Sequence, residues 1–586
     1  MPRHDPFGDF AADVAASLEE ALHSLGLEEA VEDVPARLAV PPKGKGDLAY
    51  PCFPLAKLAR KAPPDIAKDV LEALPPGKRY HAWLDGGYVN FRWDEGHAVE
   101  ETLAAVRHQG EAWGNSPPTG RRVILEHTSA NPNGPFHVGR ARNPIVGDTL
   151  ARVLRASGDE VTTEYYVNDM GKQVAILAWG LANLKPEDVG EAAAPPTAKV
   201  DHQKVVYYQA ANKRMEEDPA VASAINGLLH RFETGDEEAA HMFREAASTV
   251  LSGMRESLAR LNVHLDSYFW ESDLVRSGEV TRVVAALKST AVAGQEDGAW
   301  YLELAGYGIQ GKSTKWFFTR RDGTSLYTTR DLAYHETKFR RADVAVNVLG
   351  EDHKLTMQQL EAALTILGIE RKPDTVWISF VSLPEGKMST RRNRVVFVDD
   401  LLDEAVDRAY EEVKKRRADE LTEGEMRGIA EVVGVGALRF NIASVQAEKG
   451  LVFRWEDALD FEGASAPFCQ YAHARAASIL RTVAMIGGIE GMADRASLRH
   501  PSEVALAKVL GRFAWEVRAA ARDRKAHALA GYALEVAVAF HAFYRDCPVA
   551  RAESGIREAR MELTAAAAAT LRNALGMLGI TAPDAM

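Results

Sequence analysis

Two short runs hold the residue types that chemistry would need. Residues 131–143, NPNGPFHVGRARN, put His137, Gly139, Arg140 and Arg142 directly behind a stretch rich in proline, glycine and asparagine. In such a loop His137 can donate to a phosphate, Gly139 lets a base or ribose approach the backbone, and the arginines add positive charge. The second run, KMST at 387–390, follows the glycine of PEG. A lysine on a hinged loop can swing onto a pyrophosphate leaving group as its charge develops. Each run alone is weak, since H-x-G-x is most often a structural turn and a basic loop is as often merely solvated. Together they point to one triphosphate, ATP, held by both loops.

The surrounding pattern supplies elements to position them. RRVILEH (121–127) has the apolar, β-branched centre of a buried strand. Val146, Leu150, Val153 and Leu154 fall on one face of a helix over 138–156, and EVTTEYYVND (160–169) alternates like a second strand. This βαβ unit places the first loop at the carboxyl end of a strand, where parallel sheets bind ligands. A helix beginning near Gly139 would offer unpaired amides and its dipole to an anion. The apolar run VWISFVSL (376–383) predicts another strand ahead of the KMST loop.

The chain has 586 residues, which at roughly 100 to 200 residues per domain predicts several domains. Hydrophobic residues make up 46% and charged residues 26%, so a folded chain is expected. The first 25 residues are acidic and helically periodic, and no apolar run approaches the roughly 20 residues of a membrane span, so the expected address is cytoplasmic, away from membranes. Cys52, Cys469 and Cys547 form no CxxC pair, which predicts buried free thiols, no disulfide framework and no structural zinc. The net charge of -13 argues against wholesale coating of nucleic acid but leaves local basic patches free to bind it. Proline and glycine breaks mark off a small α/β module over 1–115, EDVGEAAAPPTAK (187–199) reads as a flexible excursion, and the pattern beyond about 465 is helical, with Leu506, Val509, Leu510, Phe513 and Val517 at helical spacing.

With those residues in view, ANPNGPFHVGR resembles the HIGH signature and KMST the KMSK signature of class I aminoacyl-tRNA synthetases. Further stretches are similar to the arginyl-tRNA synthetase family: GDLAYPCFPLAKLARKAPPDIA (46–67) to its N-terminal domain, YTTRDLAYHETKF (327–339) to its arginine-pocket stretch, and FCQYAHARAASILR (468–481) to its DALR-type helices. The resemblance implies an α/β multidomain fold: an N-terminal α/β tRNA-binding module (1–115), a Rossmann-like parallel-sheet catalytic core (116–464, with an insertion around 185–325) and an all-α anticodon-binding domain (465–586). It implies that arginine and ATP give arginyl-adenylate, that the arginyl group passes to tRNA(Arg), that magnesium accompanies the phosphates, and that the chain acts as a monomer.

The resemblance also assigns residues. His137, Gly139, Arg140, Lys387, Met388, Ser389 and Thr390 become the catalytic set. Asp331 and Tyr327 match the guanidinium side of the arginine pocket, where a planar fork of donors is best met by a carboxylate. Glu126 and Asn131, with Ser129 and Ala130, match positions for the α-amino and carboxyl ends, and Asp169 and Gln173 are expected in the same pocket. Asn133, Gly134, Pro135, Phe136 and Val138 are expected around ATP, as are Gly350, Asp352 and His353 of VNVLGEDHKL. The chain departs from the signatures at Arg140, where HIGH has its second histidine, and at Thr390, where KMSK has its second lysine; Gly134 stands where some relatives carry a compensating lysine. Charge on the phosphates would then fall to Lys387, helped by Arg140, Arg391 or Arg392. These departures leave a catalytically silent RNA-binding paralogue as a rival, and lysine as a rival substrate. KKRR (414–417), RDRKAH (522–527), Tyr471, Phe513 and Trp515 are the candidate RNA contacts.

Overall fold

The computed structural model describes residues 5–586 apart from 43, 78, 190–197, 311–313, 383, 385–395 and 487–491. Asp5 caps the first helix, Pro6–Ser24, by accepting from the Gly8 N–H at 3.0 Å. Phe7, Phe10, Val14, Leu18 and Leu22 recur at three- or four-residue spacing along it and are buried. They pack on an antiparallel sheet in which Tyr88–Trp93 lies between Leu48–Pro51 and Tyr80–Asp85. Phe10 stacks on Trp93 at 5.5 Å, and this N-terminal layer forms a hydrophobic cluster of its own.

The central sheet has five parallel strands in the spatial order Asp374–Ile378, Val344–Gly350, Arg122–Glu126, Glu160–Val167, Ser267–Trp270. From Arg122–Glu126 the chain crosses to Glu160–Val167 on one side, whereas Val344–Gly350 pairs on the other. The strand order therefore reverses beside Arg122–Glu126, and the crevice at such a reversal is where parallel α/β sheets take ligands. Among the described residues five helices, Lys172–Asn183, Pro186–Val189, Val200–Glu217, Pro219–Glu233 and Glu237–Arg260, come between Glu160–Val167 and Ser267–Trp270, and a small antiparallel sheet of Ala293–Glu296, Ala299–Glu303 and Lys315–Phe317 follows. The excursion expected at 187–199 falls largely on 190–197, outside the described residues.

From Ala466 the chain is helical, ending in Ile556–Met577. Arg439, fully buried, ties this end to the catalytic layer: it donates to the Leu578 carbonyl at 2.8 Å, the Leu261 carbonyl at 2.5 Å and the Asp148 carboxylate at 2.6 Å. One expectation needs correction here. The helix Ala526–Asp546 does have the length and apolar composition of a membrane span, but half of the apolar stretch is buried against other helices of the domain. The three cysteines are buried free thiols.

Candidate active site

Glu126 ends the central strand and leads into a turn in which Thr128 and Ser129 adopt positive φ (73° and 34°). Such backbone is disfavoured for non-glycine residues and persists where neighbours fix it. Here the Thr128 N–H donates to Asn143 Oδ1 at 2.7 Å, and Ser129 Oγ donates to Glu126 Oε1 at 3.0 Å while accepting the Tyr166 N–H at 3.1 Å. The turn aims Glu126, Ser129 and Asn131 into a cavity of about 410 Å3, within the range of small-molecule sites. Gly139 and Arg140 line it too, as do Tyr327 and Asp331 on the helix Tyr327–Arg341 and Gly350, Asp352 and His353 at the end of Val344–Gly350.

The remaining expected residues lie elsewhere. Asn133, Gly134, Pro135, Phe136 and His137 line a neighbouring cavity of about 210 Å3 together with Ala130 and Gln173; Asn131 and Arg140 border both cavities. Asn131 Nδ2 donates to Gln173 Oε1 at 2.9 Å, so Gln173 braces Asn131 and does not join Asp331. Val138 is buried and lines neither cavity; its N–H donates to the Val396 carbonyl at 3.0 Å. Asp169 is corrected to a structural role. It is 1% exposed and accepts from the Ser272 N–H (2.9 Å) and Oγ (2.6 Å), holding the start of Glu271–Arg276.

The anion-binding helix start is also corrected. The helix proper begins at Arg142, after a 3-10 turn at Val138–Arg140. The Gly139 N–H donates to His137 Nδ1 at 3.0 Å, and the Arg140 and Ala141 amides donate to the carbonyls of His137 and Val138. With those donors satisfied, a phosphate here must be met by side chains. Arg142 is no phosphate ligand either: it is fully buried and bonds the carbonyls of Ser379, Val445, Gln446 and Lys449. His137 remains exposed, with its pKa lowered first by partial burial and then by Arg140. Lys387, Met388, Ser389 and Thr390 lie outside the described residues. The chain on both sides of them meets the His137 loop: His137 bridges Phe397, the Val398 N–H donates to the Phe136 carbonyl at 2.8 Å, and the Val381 carbonyl faces Gly139.

Several residues that the sequence reading passed over belong to the larger cavity. Glu271, 1% exposed, borders the cavity and binds Arg330 through Oε1, while Oε2 has no partner among the described residues. Burial raises its pKa, and Arg330 draws it back only in part. Tyr166 also lines the cavity, with a buried hydroxyl that has no partner among the described residues and lies close to Glu271 and Asp331. Burial acts to raise the Asp331 pKa, yet His335, Lys338 and His353 together hold it below the ordinary carboxylate value. Two neighbouring carboxylates beside phenol hydroxyls make a seat for a planar cation. Phe380, 66% exposed, adds an aromatic face to the cavity. An acid at the end of a parallel strand was the available signal for Glu271, the same one that marks Glu126.

The RNA candidates also sort. Phe513 is fully buried and stacks on Tyr532, and Trp515 is partly buried against Phe7; Tyr471 is 43% exposed. In KKRR, Lys415 and Arg416 pair with Glu412 and Arg417 with Glu420. RDRKAH spans a break between Phe513–Asp523 and Ala526–Asp546, where Arg524 adopts φ 55° and binds Asp374 at 2.9 Å.

Comparison with known proteins converges on one family. The model described as tRNA synthetases class I (R), catalytic domain, matches residues 102–455; the arginyl tRNA synthetase N terminal domain matches 4–93 and the DALR anticodon binding domain 469–586. An arginine–tRNA ligase of Methanocella arvoryzae is 46% identical over 537 residues, 91% of this chain and 92% of that relative. One from Halorubrum lacusprofundi is 42% identical, covering 99% of this chain and 98% of its own length. Among solved structures, the Thermus thermophilus arginyl-tRNA synthetase superposes with a TM-score of 0.82 at 30% identity, covering 98% of this chain and 99% of its own.

Proposed function

The chain belongs to the arginyl-tRNA synthetases, the class I arginine–tRNA ligases, and from that premise we propose which of its residues perform the reaction. The reaction activates L-arginine with ATP to arginyl-adenylate and transfers the arginyl group to the 3′ end of tRNA(Arg). The guanidinium sits against Asp331 and the free oxygen of Glu271, with Tyr166 and Tyr327 beside them. Glu126, Ser129 and Asn131 receive the α-amino and carboxyl ends. Gly350 and Asp352 take the ribose, and Phe380 offers a face to adenine. His137, Arg140 and Lys387 meet the phosphates, because the loop amides are already used.

The chemistry asks for placement and charge more than for acid or base. The arginine carboxylate attacks the α-phosphorus in line, and pyrophosphate leaves with the developing charge. Magnesium enters with ATP, as part of that substrate. Among the described residues one carboxylate–histidine group, Asp201, His202 and Asp399, has the spacing of a metal site. It does not fit a divalent ion, since the Lys199 ammonium occupies it, 2.7 Å from Asp399 and 3.2 Å from Asp201. A monomer in the cytoplasm completes the reading, supported by three unpaired buried thiols, which suit a reducing compartment.

The carrying observation is that one cavity, at the carboxyl ends of Arg122–Glu126 and Val344–Gly350, gathers Glu126, Glu271, Asp331, Gly350 and Asp352. Charging of total tRNA with labelled arginine and labelled lysine tests it, beside arginine-dependent pyrophosphate exchange with and without tRNA. Arginine alone should be charged. Charging of lysine, or tRNA binding without any charging, would overturn it.

A further inference from the structure

Lys338 is a buried cation that this mechanism does not use. Its ammonium has no exposed surface, lies 4.1 Å from the Tyr334 ring centroid, and donates to Glu126 Oε2 at 2.5 Å and to Asn347 Oδ1 at 2.7 Å. Asn347, 1% exposed, sets its Nδ2 2.9 Å from His335 Nε2. His335 Nδ1 in turn lies 2.9 Å from the Asp331 carbonyl and 3.1 Å from Asp331 Oδ1. A continuous strip of contacts thus joins the two carboxylates assigned to the ends of arginine.

Donor and acceptor roles along this strip are forced. An ammonium only donates, so Asn347 must present its oxygen to Lys338 and its NH2 to His335. Nε2 of His335 must then accept, which leaves the proton on Nδ1, pointing at Asp331. We propose that Lys338 is a positioning residue for arginine recognition: through Asn347 it fixes His335 with its Nδ1–H toward Asp331, and it orients Glu126 directly. This inference rests on the arginine site proposed above. The amide cannot turn without bringing its NH2 against the ammonium. On its own helix the ring meets Asp331 and Tyr334.

The test measures the Michaelis constants for arginine and ATP by pyrophosphate exchange with tRNA present, in the full-length wild-type chain and two variants. Asn347→Asp still accepts from Lys338 but draws the imidazole proton to Nε2 and so takes the Nδ1 donor from Asp331, and Lys338→Met frees the amide to turn. In both variants the arginine constant should rise about tenfold, the cost of a weakened charge-assisted contact, with kcat and the ATP constant little changed. If Lys338→Met fails to fold, Asn347→Asp alone decides. An unchanged arginine constant in Asn347→Asp, or an equal loss for arginine and ATP, would overturn the proposal. A wild-type chain that does not activate arginine would instead refute the site on which it rests.

Discussion

Asp331→Asn separates the arginine seat from the ATP site with one atom's change. The Asp331 side chain is 30% exposed, lines the cavity and accepts from His335, and an amide oxygen can still accept that bond, so the fold should survive. What is lost is a charge-assisted contact to the guanidinium, worth about 1.5 to 3 kcal/mol when fully shielded. Partial exposure argues for the lower half of that range, since solvent screens the charge. At about 1.4 kcal/mol per decade this is roughly a ten- to thirtyfold rise in the Michaelis constant for arginine. Glu271 remains, which keeps the loss from being total. Pyrophosphate exchange with tRNA, titrated in arginine at saturating ATP and then the reverse, reads both constants. The ATP constant should move by less than about twofold, because no nucleotide contact is altered. An unchanged arginine constant, or a rise confined to ATP, would refute the assignment.

Three further outcomes are expected. Arg439→Met should destabilise the chain by about 3 to 5 kcal/mol, because it strips the carbonyls of Leu261 and Leu578 and leaves buried Asp148 with Arg152 as its remaining ion-pair partner; denaturant melts read this, and a shift below about 1 kcal/mol would contradict it. Burial lowers the His127 pKa to about 4. Its unfolded value is near 6.5, so the unfolded chain takes up the proton first, and stability should fall by about 3 kcal/mol as pH drops from about 6.5 to 4. His127→Gln should flatten that slope relative to wild type in denaturation midpoints, and parallel slopes would contradict the account. Lys387→Ala should slow single-turnover adenylate formation by about a hundredfold, the usual loss when a donor to developing charge is removed, and an unchanged rate would reassign the leaving-group charge to Arg140.

The βαβ unit from Arg122 to Val167 was readable because its signals are local: a β-branched run, a loop dense in turn formers, then helical spacing. Contacts made across long sequence separations were not readable. Arg142 looks like a phosphate ligand until the carbonyls of 445–449 close around it. Gly139 looks like a free amide until His137 folds back onto it. Asp169 looks like a pocket acid until Ser272, 103 residues later, takes both its oxygens. Glu271 was missed for the same reason: its strand, Ser267–Trp270, pairs with Glu160–Val167 only after a long run of intervening helices. Residues named through the family resemblance fared unevenly. Glu126, Asn131, Tyr327, Asp331, Gly350 and Asp352 border one cavity, whereas Asn133 to His137 line its neighbour.

A crystal structure with a non-hydrolysable arginyl-adenylate analogue tests the central claim most directly. The guanidinium should lie between Asp331 and Glu271, with the ribose on Gly350 and Asp352, in the single cavity beside Glu126. An analogue seated with its guanidinium away from both carboxylates, or bound in the cavity of Asn133 to His137 alone, would contradict it.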